Sequence, residues 1–170
     1  MLELPEAFTI AGQINNTGAG KEIAGIIVGR SPHKLAWYYG EPDNYSGLLV
    51  GKHLGQAAGL GGLVRIAAGR VVLLFGDGVR LRYHAPCEKR PTKHQMLIEF
   101  KDGSALSASV QMYGGLGCFG EDEFAVSSGT KTIVRFGEDH PGGDGPFERT
   151  GYGEGFIWKL RRVSDHIEQK

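Results

Sequence analysis

This 170-residue chain has little cysteine, no net charge and no long apolar run, and each shortage closes off a class of protein. Its two cysteines, Cys87 and Cys118, form no C-x-x-C pair, so they supply neither a zinc site nor a disulfide framework. The six histidines (His33, His53, His84, His94, His140 and His166) show no H-x-x-x-H spacing, and neither a metal nor any other cofactor is expected. Lys plus Arg and Asp plus Glu both total 19, which excludes the strongly basic balance of a protein held on nucleic acid by charge alone. Any contact with DNA must come from a local patch. No segment approaches the ~20 apolar residues of a membrane span, and the amino end lacks the apolar core of a secretory signal. The expectation is a soluble, cytoplasmic, monomeric protein with no membrane partner. Its length suits one domain with a self-sufficient core.

What the chain does have is glycine, 28 residues in all, and no internal repeat accounts for them. They fall where turns and bulges interrupt short extended runs. Pro5 suits the first turn of a helix, Glu3 and Glu6 complement its positive end, and Ala7, Phe8, Ile10, Ala11 and Ile14 recur at helical spacing. A helix over about 4–16 follows, packed by that face. KEIAGIIVGR reads as a first strand, and SPHKLAWYYG as a second whose Trp37, Tyr38 and Tyr39 are either core or a stacking surface, with core favoured. GAGK is not a phosphate loop, because Asn15 and Glu22 stand where glycine and a hydroxyl are needed. EPDNYSGLLVG suits a short helical turn starting at Pro42.

KHLGQAA, GLVRIAA, RVVLLFG, VRLRYH, MLIEF, ALSASVQM and GLGCF then follow at the spacing of antiparallel strands. Turns are expected at Ala68-Gly69, Gly76-Asp77-Gly78 and Asp102-Gly103, with Asp-Gly the strongest hairpin signal. The fold class predicted is α+β, mainly β: a two-layer antiparallel β-sandwich with an N-terminal helix at its edge, over residues 1–120. Residues 121–170 read as a Gly-rich tail in which KTIVRFG adds an edge strand. Phe156, Leu160, Val163 and Ile167 lie at helical spacing near its end, so a closing C-terminal helix with a basic face is expected there. The most basic stretch, VRLRYHAPCEKRPTKH, is either a solvated hairpin face or a phosphate contact line. Arg80, Arg82 and His84 share one face of its strand.

The opening MLELPEAF, the helix after it and the Gly-Lys before the first strand resemble the formamidopyrimidine-DNA glycosylase and endonuclease VIII family. The likeness continues more loosely through SPHKLAWYYG, GDGVRLRYH, KHQMLIEFKDGSALS and MYGGLGCF, and it ends near residue 120. It implies a catalytic β-sandwich domain without the family's helix-two-turn-helix and zinc-finger domains. It also implies base-excision repair, with glycosylase and abasic-site lyase activity on damaged or abasic DNA. In that family a terminal proline amine attacks the sugar and the adjacent glutamate moves protons. Here Leu2 takes the proline's place, and leucine is too large for methionine trimming. The amine is then that of Met1, which titrates at about 8 as α-amines do.

The catalytic residues implied are Met1, Leu2 and Glu3, and ELPE can equally be no more than a helix cap. The DNA-binding residues expected are Lys52, Arg80, Arg82, Lys93, His94 and Tyr113. The family's methionine wedge aligns near Asp77, and its second wedge near Met112 and Tyr113. Its phosphate-binding lysine aligns among Gly59, Gly61 and Gly62. Three readings follow: a glycosylase or abasic-site lyase weakened by these departures, a non-catalytic relative that binds nucleic acid or protein through the sandwich, or an unrelated β-sandwich interaction protein in which the ELPE start is coincidence.

Overall fold

The computed structural model describes residues 4–39, 41–60, 62–76, 78–121, 124–127 and 131–134. Helix α1 (Leu4–Thr17) leads into β1 (Ile23–Val28) and β2 (Ala36–Tyr39). A 3-10 turn (Pro42–Asn44) and the short α2 (Tyr45–Leu49) precede β3 (Ala57–Leu60), β4 (Leu63–Ala68), β5 (Val71–Phe75) and β6 (Val79–His84). Strands β7 (Met96–Phe100), β8 (Ala105–Val110), β9 (Gly114–Gly120), β10 (Phe124–Ser127) and β11 (Lys131–Val134) complete the series.

One sheet runs in the order β1-β7-β8-β6 and the other β2-β9-β5-β4-β3. Their facing sides share one core, in which Met96, Ile98, Leu106 and Ala108 meet Val64, Ile66, Leu73, Phe75 and Leu116. The period-two alternation of these strands puts those residues on one face, so the layered sandwich expected from sequence is what forms. Helix α1 adds Ala7, Ala11 and Ile14 to this core and packs against β3 and β4. The amide of Asn15 fastens it there by donating to the Ala57 carbonyl (2.9 Å) and accepting from the Ala57 N–H (2.6 Å).

Several expectations need correction. Phe8 was placed on the packed face of α1 but is 57% exposed. Lys52 and His53 do not begin a strand; His53 makes an isolated bridge to Glu22, and β3 starts at Ala57. Strand β2 pairs with β9 in parallel, so its sheet is mixed. The 76–78 turn joins no hairpin: β5 and β6 belong to different sheets, and the turn carries the chain from one layer to the other. KTIV forms β11, which pairs with β10 in a separate two-stranded sheet. The helix expected over 156–167 lies outside the described residues. Tyr39 is core as expected, with Trp37 and Tyr38 half-buried beside it.

Candidate nucleic-acid interface

Strand register sorts the loops into two groups at opposite ends of the sandwich. Val28 pairs with Met96 and Met96 with Ala108, while Phe75 pairs with both Val64 and Leu116. The 29–35, 60–63, 76–78, 91–95 and 111–113 loops therefore share one end. At the other lie the loops around 18–22, 51–55, 69–70, 85–90 and 101–104.

The amino end of α1 belongs to the first end. A Cβ on Gly59 would meet the Phe8 nitrogen at 2.9 Å and the Ala7 carbonyl carbon at 3.0 Å, so only glycine lets β3 run flat beneath the helix's early turns. Gly59 and Gly62 stand where the resemblance places a phosphate-binding lysine, and neither carries a charge. Lys52 cannot fill in for it. Its carbonyl accepts from the Ile23 N–H, and its side chain lies along Gly69, near the carboxyl end of a helix about 20 Å long. Met1, Leu2 and Glu3 lie outside the described residues, as does Asp77.

Two loops press together at this end. The Gly76 N–H donates to the Gly115 carbonyl at 2.8 Å. Gly78 has φ +77°, and a Cβ there would collide with the Tyr113 carbonyl oxygen. Tyr113 is half-buried against this turn, while the neighbouring Met112 is 72% exposed.

The cations divide between the two ends. Arg80 and Lys93 are exposed at the first end, but His94 is only 3% exposed. The His94 N–H donates to Ser31 Oγ (3.3 Å), and its ring Nδ1 lies 3.1 Å from the Pro91 carbonyl. Burial makes it an anchor of the 91–95 loop, not a surface contact. Gln95 completes the anchor, donating to the Ser31 carbonyl (3.0 Å) and accepting from the Val110 N–H (2.6 Å). These bonds bring the 29–35 loop against Lys93, and with it the exposed Arg30 and Lys34, which sequence reasoning missed. Nothing local signals them, because their neighbours come from the far end of a strand pair.

At the opposite end three cations are paired with carboxylates. Lys21 Nζ donates to Asp102 Oδ2 (2.5 Å), Tyr83 OH (2.8 Å) and Ser104 Oγ (2.9 Å). Burial alone would lower the Lys21 ammonium, but Asp102 and Tyr83 outweigh it and its pKa is raised. Hydrogen bonds from Lys21, then Ser104, hold the Asp102 carboxyl down at about 2. Lys101 pairs with Glu22 at 2.6 Å. Arg82, though 63% exposed at its side chain, pairs with Glu88 at 2.9 Å, so its charge is offset. His84 was expected on the same open face but is buried, with Nε2 2.8 Å from Ser107 Oγ. Among the described residues no group of His, Cys, Asp or Glu is placed to hold a metal. No described helix is long and apolar enough to cross a membrane.

No protein-family model matches the chain, and no curated protein does. Solved structures do. They include Lactococcus lactis Fpg with abasic-site DNA, Lactococcus lactis Fpg (MutM) with FAPY-dG DNA, and the wild-type protein with oxidised-pyrimidine DNA. Each is 19% identical with a TM-score of 0.60, and the match covers 71% of this chain and 45% of that one. The chain thus spans less than half the length of these neighbours, and over the matched part it shares the fold of a DNA-repair glycosylase.

Proposed function

We propose that this protein binds DNA at abasic or damaged sites through the end of the sandwich that carries the 60–63, 76–78 and 111–113 loops, and that the chemistry lies at its amino end. One observation carries the reading. The start of α1, two glycine turns, the exposed Met112 and the cations Arg30, Lys34, Arg80 and Lys93 gather at one end, and no ion pair among the described residues involves those cations. A phosphate backbone meets such charges by releasing its counterions. The fold shared with structures that contain abasic-site DNA supports the same choice of partner.

In this reading the Met1 amine adds to the C1′ aldehyde of a ring-opened abasic sugar and loses water to give an iminium. Glu3 takes a proton from C2′, and the 3′-phosphate leaves. Base excision asks for more. A nucleotide must first be unstacked at a cost of a few kcal/mol, and the uncharged tip at Gly59 and Gly62 offers no grip on a phosphate for that step. The activity is therefore slow strand cleavage at preformed abasic sites, with little excision of oxidised bases. That same uncharged tip, with Leu2 in place of a secondary amine, favours a second reading, a DNA-binding module without catalysis.

Borohydride trapping on abasic-site DNA separates the two. A covalent adduct on the peptide carrying Met1, strand cleavage lost in Glu3→Gln, and cleavage raised in Leu2→Pro with methionine removed are the results expected. Binding without an adduct selects the non-catalytic module. No binding to any DNA would refute both.

A further inference from the structure

Helix α1 closes one side of the sandwich unevenly. Against β3 it lies close, with Gly59 beneath its early turns and Asn15 clamped to Ala57. Against β6, the last strand of the other sheet, it stands off and leaves a cleft of about 320 Å³, above the ~300 Å³ at which ligand pockets begin. Ile10 and Ile14 of the helix and Leu81 and Leu106 of the sheet give this cleft an apolar lining. Gln13, Thr17, Arg82 and Tyr83 add polar groups around it.

The strand beside the cleft has backbone groups to spare. Ala108 accepts from the Gln95 N–H (2.9 Å), and the Val110 N–H donates to the Gln95 side chain (2.6 Å), so these residues of β8 turn their backbone towards β7. Ser107 and Ser109, which alternate with them, then turn theirs towards β6, where they face Arg82 and Arg80. It follows that Leu81 and Tyr83 aim both N–H and C=O away from the sheet, at the cleft. Among the described residues no turn, loop or side chain hydrogen-bonds to these four groups. An open edge of this kind is a template for another strand.

The side chains say which strand fits. Residues of an added strand that pair with Leu81 and Tyr83 point into the apolar cleft, while those opposite Arg80 and Arg82 stand on the outer face beside two exposed cations. A second copy of β6 fits poorly there, because antiparallel self-pairing sets arginine against arginine. We propose that the cleft between α1 and β6 is a docking site for an extended peptide of a partner protein, one that alternates apolar residues with acids and joins the four-stranded sheet as a fifth strand. The inference stands apart from the DNA reading. It shares Arg80 with that reading, but its hydrogen bonds are made by Leu81 and Tyr83.

Amide exchange read by NMR on the full chain tests it, with a blocked hexapeptide of alternating valine and glutamate as the probe. The peptide should slow exchange of the Leu81 and Tyr83 amides about tenfold and leave the Arg80 and Arg82 amides, already in the ladder, unchanged. Its valine-lysine counterpart should bind about tenfold more weakly. Leu81→Pro removes one outward N–H at an edge position that accepts proline, and Thr17→Trp fills the cleft from the helix side; each should weaken binding about tenfold. No slowing at about 1 mM peptide would overturn the proposal, as would equal binding of the lysine peptide or unaltered binding by both variants. Slow exchange at both amides without peptide would overturn it too. Slowing that survives dilution would make the chain itself the occupant, and slowing lost on dilution would make it a second copy.

Discussion

The two ends of the sandwich are made by the same strands yet hold their charges in opposite ways. Around Lys21 three cations have a carboxylate, Lys21 with Asp102, Lys101 with Glu22 and Arg82 with Glu88, and Arg90 donates to backbone carbonyls. Around Ser31 the cations Arg30, Lys34 and Lys93 are gathered by backbone and amide hydrogen bonds that leave their charges unspent. A chain with zero net charge can still present a basic end, because residues 1–120 carry 12 Lys and Arg against nine Asp and Glu, and the acids in excess lie in residues 121–170. The paired end should matter for stability and the unpaired end for binding.

The sharpest way to break that contrast is at a glycine. Gly78→Ala forces a left-handed φ on alanine and drives its Cβ into the Tyr113 carbonyl, so a loss of about 2–5 kcal/mol in urea unfolding is expected, together with loss of DNA binding. Gly69→Ala, also at positive φ but facing only the flexible Lys52 side chain, should cost about 1–2 kcal/mol and leave binding intact. Equal costs at the two positions would mean that the 76–78 and 111–113 loops are not pressed together.

Lys21→Met comes next. Removing three hydrogen bonds from an ammonium whose side chain is 24% exposed should cost about 1–3 kcal/mol, without altering the salt dependence of DNA binding. A changed salt slope would place Lys21 in the interface.

Acid sharpens the comparison from the other side. Folding lowers the Asp102 pKa to about 2, so its contribution is complete above pH ~4 and is lost as the pH falls towards 2. Burial, then the Arg82 and Arg90 charges, hold the His84 imidazole below its ordinary range despite the opposing pull of Glu88. The unfolded chain thus binds a proton first, and stability begins to fall as the pH drops through ~6.5. Urea midpoints should decline in two stages on acidification, and Asp102→Asn should erase the lower one.

The smallest effect on stability is expected at the unpaired cations. Alanine at Arg30, Lys34, Arg80 or Lys93 should change stability by no more than about 0.5 kcal/mol, while each removes about 0.9 from the slope of log affinity against log salt. A slope unaltered in all four would move the DNA face elsewhere.

Much of this was legible in the residues. Helix α1 showed in its 3.6-residue period and most strands in their alternation, because those signals are local. The two ends were not legible, since they depend on which strands pair. Asp-Gly at 77–78 carries the signature of a hairpin, but Val71–Phe75 finds its partners in β4 and β9 and so cannot fold back on β6. His94 reads as a surface cation in a basic run, and only the closing of its loop against Ser31 takes it from solvent. Arg82 looked free until Glu88 turned back through the 85–88 turn to meet it.

The pairing of β1 with β7 and of β2 with β9 also governs the order in which the protein can be made. Strands β3, β4 and β5 close on one another as soon as they emerge, but Ile23–Val28 must wait for Met96 and Ala36–Tyr39 for Gly114. Contacts so distant in sequence form late, and an uncharged run such as IAGIIV is prone to self-association while it waits. A chain halted on the ribosome before residue 96 would leave the β7-facing edge of that run unpaired, so interrupted synthesis should yield more aggregate than completed synthesis.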